Sequence, residues 1–180
     1  MRTLSFRAEP ATVANIAPFG TLLSPAAEAP VIRSPFYGDT VAIRKPGRFV
    51  ADDTLEISVA TIHPRPLRVS WMERHFLHTQ TFFPLGTPFA MVLAPPSEDE
   101  MPDLDTARAF LFDGSAGLML HVGTWHEFPF AVAEVAQVCI LIRRDTARDL
   151  RHKQGNEARG PDLDKKDIVA RAGVTIELAL

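Results

Sequence analysis

The chain has 180 residues, 46% of them apolar and 23% charged, with a net charge of −3 and a pI near 6.1. That length provides for one domain with a substantial core, and that balance excludes a globally disordered chain. No basic block stands ready for a nucleic-acid backbone and no apolar run would span a bilayer, so neither is an expected partner, and a cytoplasmic location is the expectation.

The first residues, Met1-Arg2-Thr3-Leu4-Ser5-Phe6, lack the apolar stretch of a signal peptide. A short helix is predicted next: Pro10 opens it, Val13 and Ile16 face the core, and Ala17-Pro18 ends it. Phe19-Gly20-Thr21-Leu22-Leu23 reads as a strand, and residues 24–40, with three prolines and Gly38, as a long surface connection. A short strand is expected over 40–44. Residues 55–62 alternate well, which puts Leu55, Ile57, Val59 and Thr61 on one face. Pro64 and Pro66 interrupt the pattern before a strand over 67–72. Strands over 79–83 and 88–93 flank the turn Pro84-Leu85-Gly86-Thr87. After an acidic loop over 94–105, strands over 108–112 and 118–121 flank Asp113-Gly114-Ser115-Ala116-Gly117, which reads as a hairpin.

Two further strands are expected over 128–134 and 137–142. The lone cysteine, Cys139, sits in the second of them and reads as inert packing, because a thiolate is disfavoured in so apolar a run. Residues 143–166 mix charges of both signs and read as a solvated surface or arm. A short helix near 164–170 and a strand over 174–178 follow. Fifteen dispersed prolines leave little room for long helices. The expected fold is therefore mainly β: one domain over 1–180, with a small barrel over about 19–142, a short N-terminal helix and a charged C-terminal tail over about 143–180.

Four of the six histidines fall in two blocks, Glu73-Arg74-His75-Phe76-Leu77-His78-Thr79-Gln80 and His121-Val122-Gly123-Thr124-Trp125-His126. Imidazoles and carboxylates resist dehydration, so their clustering beside core strands suggests a shared task. The blocks resemble, in altered form, the two motifs of cupin barrels: Glu73-x-His75-x4-Gln80 is similar to the first, and Gly123-x2-His126 to the second. Residues two apart on a strand share a face, so Glu73 and His75 can point together. Gln80 has the wrong parity for the same strand and joins them only if residues 76–79 turn or bulge. A divalent cation could accept His75, His126, the Gln80 amide oxygen and Glu73, and this mixed N/O set suits nickel, manganese, iron or zinc. His78 and His121 are further candidates, since a slip in the bulge would exchange which histidine points inward. Arg74 and Arg108, each inside strand-like sequence, are the cations expected to meet an anionic substrate; internal salt bridges with Glu73 or Asp105 are the alternative.

The segment Met72-Glu73-Arg74-His75-Phe76-Leu77-His78-Thr79-Gln80-Thr81-Phe82-Phe83-Pro84 resembles the Leu-Glu-Arg-His-Pro-Leu-Gly-(Ser/Thr)-Gln-x-Phe-x-Pro stretch of the ureidoglycolate lyase family. Pro102-Asp103-Leu104, Arg108-Ala109-Phe110, Gly117, His121, Trp125 and His126 are similar to that family's second conserved stretch, and Ala17-Pro18-Phe19-Gly20 to its opening. The resemblance runs in order over roughly residues 10–142. It implies a cupin-like β-barrel, a homodimer, and cleavage of ureidoglycolate, a small carboxylate, to glyoxylate and urea with nickel as cofactor. In those terms His75, Gln80 and His126 hold the metal, Glu73 or His121 moves protons, and Arg74 or Arg108 grips the substrate carboxylate. The chain departs from the pattern at Phe76 (Pro in the family), at His78 (Gly) and at Glu127-Phe128-Pro129 (His-Pro). Two other readings compete with the lyase: a metal-dependent cupin enzyme of another reaction class, and a non-catalytic cupin module that binds or senses a ligand.

Overall fold

The computed structural model describes residues 1–180. The mainly β expectation holds, and the strands are short. Nine of them form one sheet. Its main path runs Lys153–Gln154, Glu157–Arg159, Leu163–Asp167, Trp71–His75, Trp125–His126, Phe89–Ala94, Arg108–Phe112 and Glu9–Pro10, with Phe130–Ala131 also paired to Phe89–Ala94. A five-stranded sheet runs Gly20–Leu23, Gly117–Leu120, Thr81–Pro84, Ala136–Arg143 and Leu55–Ile62. The two share no hydrogen-bonded strand, so they stack as an open sandwich and do not close into the expected barrel.

The core between these sheets includes Phe82, Leu118, Val138 and Ile140 from the smaller sheet and Phe89, Met91, Leu93 and Phe110 from the larger. The other face of the larger sheet, with Met72, Ala90, Val92, Ala109 and Trp125, packs on Val69, Ile176 and Leu178 of a three-stranded sheet and on Ile168. Phe89–Ala94 is thus buried on both faces, which is why it reads as an unbroken apolar run rather than an alternating one.

The predicted helix forms over Val13–Ile16, closed at its start by a capping box between Thr12 and Asn15. The expected hairpin over 108–121 does not form, and the strands that flank the turn over 84–87 lie in different sheets. The turn over 84–87 joins Thr81–Pro84 of the small sheet to Phe89–Ala94 of the large one, and the turn over 113–116 carries the chain back the other way. Ile57 and Val59 do share a face, but it is the outer one, where they are 73% and 66% exposed.

Residues 143–166 are a solvated surface only in part and are not a free arm. Leu163–Asp167 pairs along the whole of Trp71–His75, and Val174–Ala179 pairs in parallel with Arg2–Arg7. Where the charges of residues 143–166 are buried they meet partners, as Asp164 does with Lys166 at 3.0 Å, while Arg144, Arg148, Arg151, Lys153 and Arg159 are exposed. No helix is long and apolar enough to cross a membrane.

Candidate metal centre

Three adjacent strands set the site. In their antiparallel register Lys165 lies opposite Glu73, and Glu73 opposite His126. Residues directly opposite share a face, and so do residues two apart, so Lys165, Glu73, His126 and His75 all look into the sandwich. The second block is fixed from its turn: Gly123, at φ +83°, donates its N–H to the His75 carbonyl at 2.7 Å, and the Thr124 hydroxyl donates to the Phe19 carbonyl at 2.7 Å. His126 packs edge-on against Phe82 at 6.1 Å.

Glu73, His75 and His126 form one group of potential metal ligands, and His75, His78 and Asp162 a second that shares His75; all are buried. His126 Nδ1 lies 3.2 Å from the Thr124 carbonyl, which can only accept, so Nδ1 carries the proton and Nε2 presents a lone pair. That lone pair faces Glu73 Oε1 at 3.6 Å. Burial pushes His126 down to about 4 despite the nearby Glu73, so the imidazole is neutral at pH 7. Burial also works to raise Glu73, but Lys165 Nζ, 2.9 Å from Oε2, leads the opposing charges that bring it down to about 2. With His126 neutral, Lys165 is the cation that keeps Glu73 ionised. For Lys165 burial pulls downward, and the charge of Glu73 outweighs it and leaves the ammonium above its ordinary range.

Two acceptors therefore stand face to face with no proton between them. Both nitrogens of His75, Nε2 of His78 and of His126, and Oε1 of Gln80 are likewise buried with no hydrogen-bond partner. An unsatisfied buried polar atom costs about 1–3 kcal/mol, and several so close together fit a bound cation. The nitrogen and oxygen donors, with no thiolate among them, fit a divalent metal of the kind the sequence suggested.

The other sequence candidates lie elsewhere. Arg74, between Glu73 and His75, necessarily points to the opposite face. There it stacks 4.3 Å over Trp125, donates to the Ser97 carbonyl at 2.7 Å and pairs with Asp164 at 3.4 Å. Arg108 stands two strands from His126 at an exposed rim, ion-paired with Glu9. The His121 side chain is exposed and makes no hydrogen bond or ion pair. Gln80 is buried just before Thr81–Pro84.

Sequence reasoning missed Lys165, Asp162 and Arg65, and read Glu127 only as a departure from the family pattern. Burial raises Glu127 above the ordinary carboxylate range against the pull of Lys165 and Arg65; Arg65 donates to its Oε1 at 3.2 Å and packs 3.7 Å over Phe130. The adjacent acidic-basic pair Asp164-Lys165 was the one available signal for Lys165. The largest cavity, about 460 Å³, lies away from this chemistry, between Pro10, Val13, Leu22 and Phe112. A smaller one of about 190 Å³, walled by Trp71, Leu150, Lys153, Asn156 and Lys165, reaches the site's cation from outside.

Residues 3–159 match the family model described as ureidoglycolate lyase. A ureidoglycolate lyase of Pseudomonas aeruginosa (strain LESB58) is 34% identical over 135 residues, 70% of this chain and 75% of that protein. One from Pseudomonas fluorescens (strain Pf0-1) is 35% identical over 133 residues, with the same coverage. One from Azotobacter vinelandii is 36% identical over 90 residues, where the match spans 49% of this chain and about half, 53%, of the relative. A solved dTDP sugar isomerase from Desulfovibrio desulfuricans G20 aligns at TM-score 0.41 and 16% identity over 71% of this chain and 82% of that one, too distant to bear on the site. With the family model covering most of its length and relatives above 30% identity over more than two thirds of it, the chain belongs to the ureidoglycolate lyase family.

Proposed function

We propose that the chain cleaves ureidoglycolate to glyoxylate and urea, in the cytoplasm and as a homodimer. The observation that carries the chemistry is the row Lys165–Glu73–His126, which sets an ammonium, an ionised carboxylate and a neutral imidazole side by side on one face. The substrate is a carbinolamine bearing a carboxylate. Lys165 holds that carboxylate, the part that the sequence assigned to Arg74 or Arg108. Glu73 accepts the hydroxyl proton as the hydroxyl carbon becomes the aldehyde of glyoxylate. The carbon–nitrogen bond breaks, its electron pair leaves on the urea nitrogen, and Glu73 returns the proton there, so that atoms and charge balance.

His75, His126 and Gln80 would hold a divalent metal, nickel by family resemblance. Bound there, the metal would supply Lewis acidity toward the substrate's carboxylate and hydroxyl oxygens. The outward Ile57 and Val59 of the edge strand Leu55–Ile62 offer an apolar face for a second copy.

The test is glyoxylate release from ureidoglycolate, corrected for spontaneous decay. Glu73→Gln keeps size and shape and should lower turnover by about 10²–10⁴. Wild-type release no faster than background with nickel, manganese, iron or zinc would overturn the reading.

A further inference from the structure

The family match ends at residue 159, and the segment just beyond it enters the site. Asp162 is fully buried, with donors converging on its carboxylate. The Leu77 N–H donates to Oδ1 at 2.8 Å and the Thr146 hydroxyl to Oδ2 at 2.8 Å. His78 Nδ1 lies 3.0 Å from Oδ2, and His75 Nδ1 3.6 Å from the same oxygen. The position of Asp162 is itself enforced. Its own N–H donates to Asp149 Oδ2 at 3.0 Å, its carbonyl accepts from the Phe76 N–H at 2.9 Å, and at Gly160 a side chain would collide with Asp149.

An ionised carboxylate only accepts, so an imidazole whose Nδ1 faces it carries its proton on Nδ1 and keeps Nε2 as a free lone pair. Nε2 of both His75 and His78 is buried without a partner, as is Nε2 of His126, to which the Thr124 carbonyl does the same. His78 and His126 thus present one tautomer, and His75 lies between them, its ring centre 4.7 Å from that of His78 and 5.4 Å from that of His126. Metal-binding histidines have such a partner at the second nitrogen, because it orients the ring and raises its basicity. His78 stands where the resembling family stretch has glycine, so this pair joins two departures of the chain from that pattern.

We propose that Asp162 is a positioning residue for a cation bound by these imidazoles: it holds His78 in the tautomer that leaves Nε2 free. The C-terminal segment is on this account a working part of the site, with His78 an added cation ligand. The inference rests on the metal site proposed above, but not on the identity of the substrate.

The test compares full-length wild type with Asp162→Asn, which keeps the volume and removes the charge. Nickel affinity of the metal-free proteins, measured by chelator competition, should fall by about 10–100-fold in the variant. Nitrogen-15 NMR of the imidazoles should show Nδ1–H for His78 in the metal-free wild type and a shift towards Nε2–H in Asp162→Asn. Thermal melting checks the fold. Should Asp162→Asn not fold, Thr146→Val, which removes one hydrogen bond to Oδ2, should move both readouts in the same direction by less. Unchanged affinity with unchanged tautomers would overturn the proposal, and so would a wild type that binds none of nickel, cobalt, manganese or zinc. Tight nickel binding that depends on Asp162, without turnover of ureidoglycolate, would sustain it while the proposed function fails.

Discussion

Removing Lys165 should leave Glu73 charged and buried with no cation beside it. The pair sits at 2.9 Å, with the lysine side chain 26% and the glutamate 7% exposed. Holding Glu73 at about 2 instead of its ordinary 4.5 corresponds to roughly 3–4 kcal/mol, at about 1.4 kcal/mol per unit, of which Lys165 supplies the largest share and the imidazoles of His126 and His75 the rest. Breaking a buried pair by deleting one partner costs about 3–5 kcal/mol, and the part-exposed lysine places this case at the low end. We therefore expect Lys165→Met to lose about 2–3 kcal/mol at pH 7, measured by urea unfolding of metal-free protein. The sign of the pH dependence follows. Glu73 is depressed in the folded state, so its stabilisation is complete above pH 4.5 and is lost as pH falls towards 2. The gap between wild type and Lys165→Met should close over that range. In a Glu73→Gln background, with no carboxylate left to strand, the same substitution should cost little. A coupling below about 0.5 kcal/mol in this double-mutant cycle, the size of an exposed surface pair, would show that Glu73 does not depend on Lys165.

His126 gives a second pH window. Its folded value lies at about 4 against an ordinary 6.5, so the unfolded chain binds the proton more readily. Metal-free protein should lose up to about 3 kcal/mol as pH falls from 6.5 to 4; an unfolding free energy that is flat over that range would show a solvated imidazole instead. Arg108→Ala should leave glyoxylate release within about twofold of wild type, because Arg108 is committed to Glu9 at the rim, whereas an unchanged KM in Lys165→Met would remove the lysine from substrate binding.

Much of the centre was legible because strand parity is local. Glu73 and His75 are two apart, and Gly123 marks the turn that delivers His126. The same parity already places Arg74 on the face opposite Glu73, so its absence from the cluster was readable too. The arches were not readable. Residues such as Pro84-Leu85-Gly86-Thr87 turn the chain equally well whether the next strand stays in the sheet or crosses to the other. Alternation likewise groups Ile57 with Val59 without saying which side is inside, because burial depends on what the strand packs against.

The charged tail misled for a different reason. Hydropathy scores each charge as if it faced water, yet Glu73 and Arg74 stand in a strand next to core sequence, one on each face, and each needs a counter-charge once buried. Asp164-Lys165 supplies both: in antiparallel register lysine meets glutamate on the inner face while aspartate meets arginine on the outer. Adjacent acidic-basic pairs that run opposite ways in two distant segments are a pairing signal, because a slip of one residue would set every charge on the wrong face. Such a stretch is solvated only where no complementary pair waits for it in the core, and here one did.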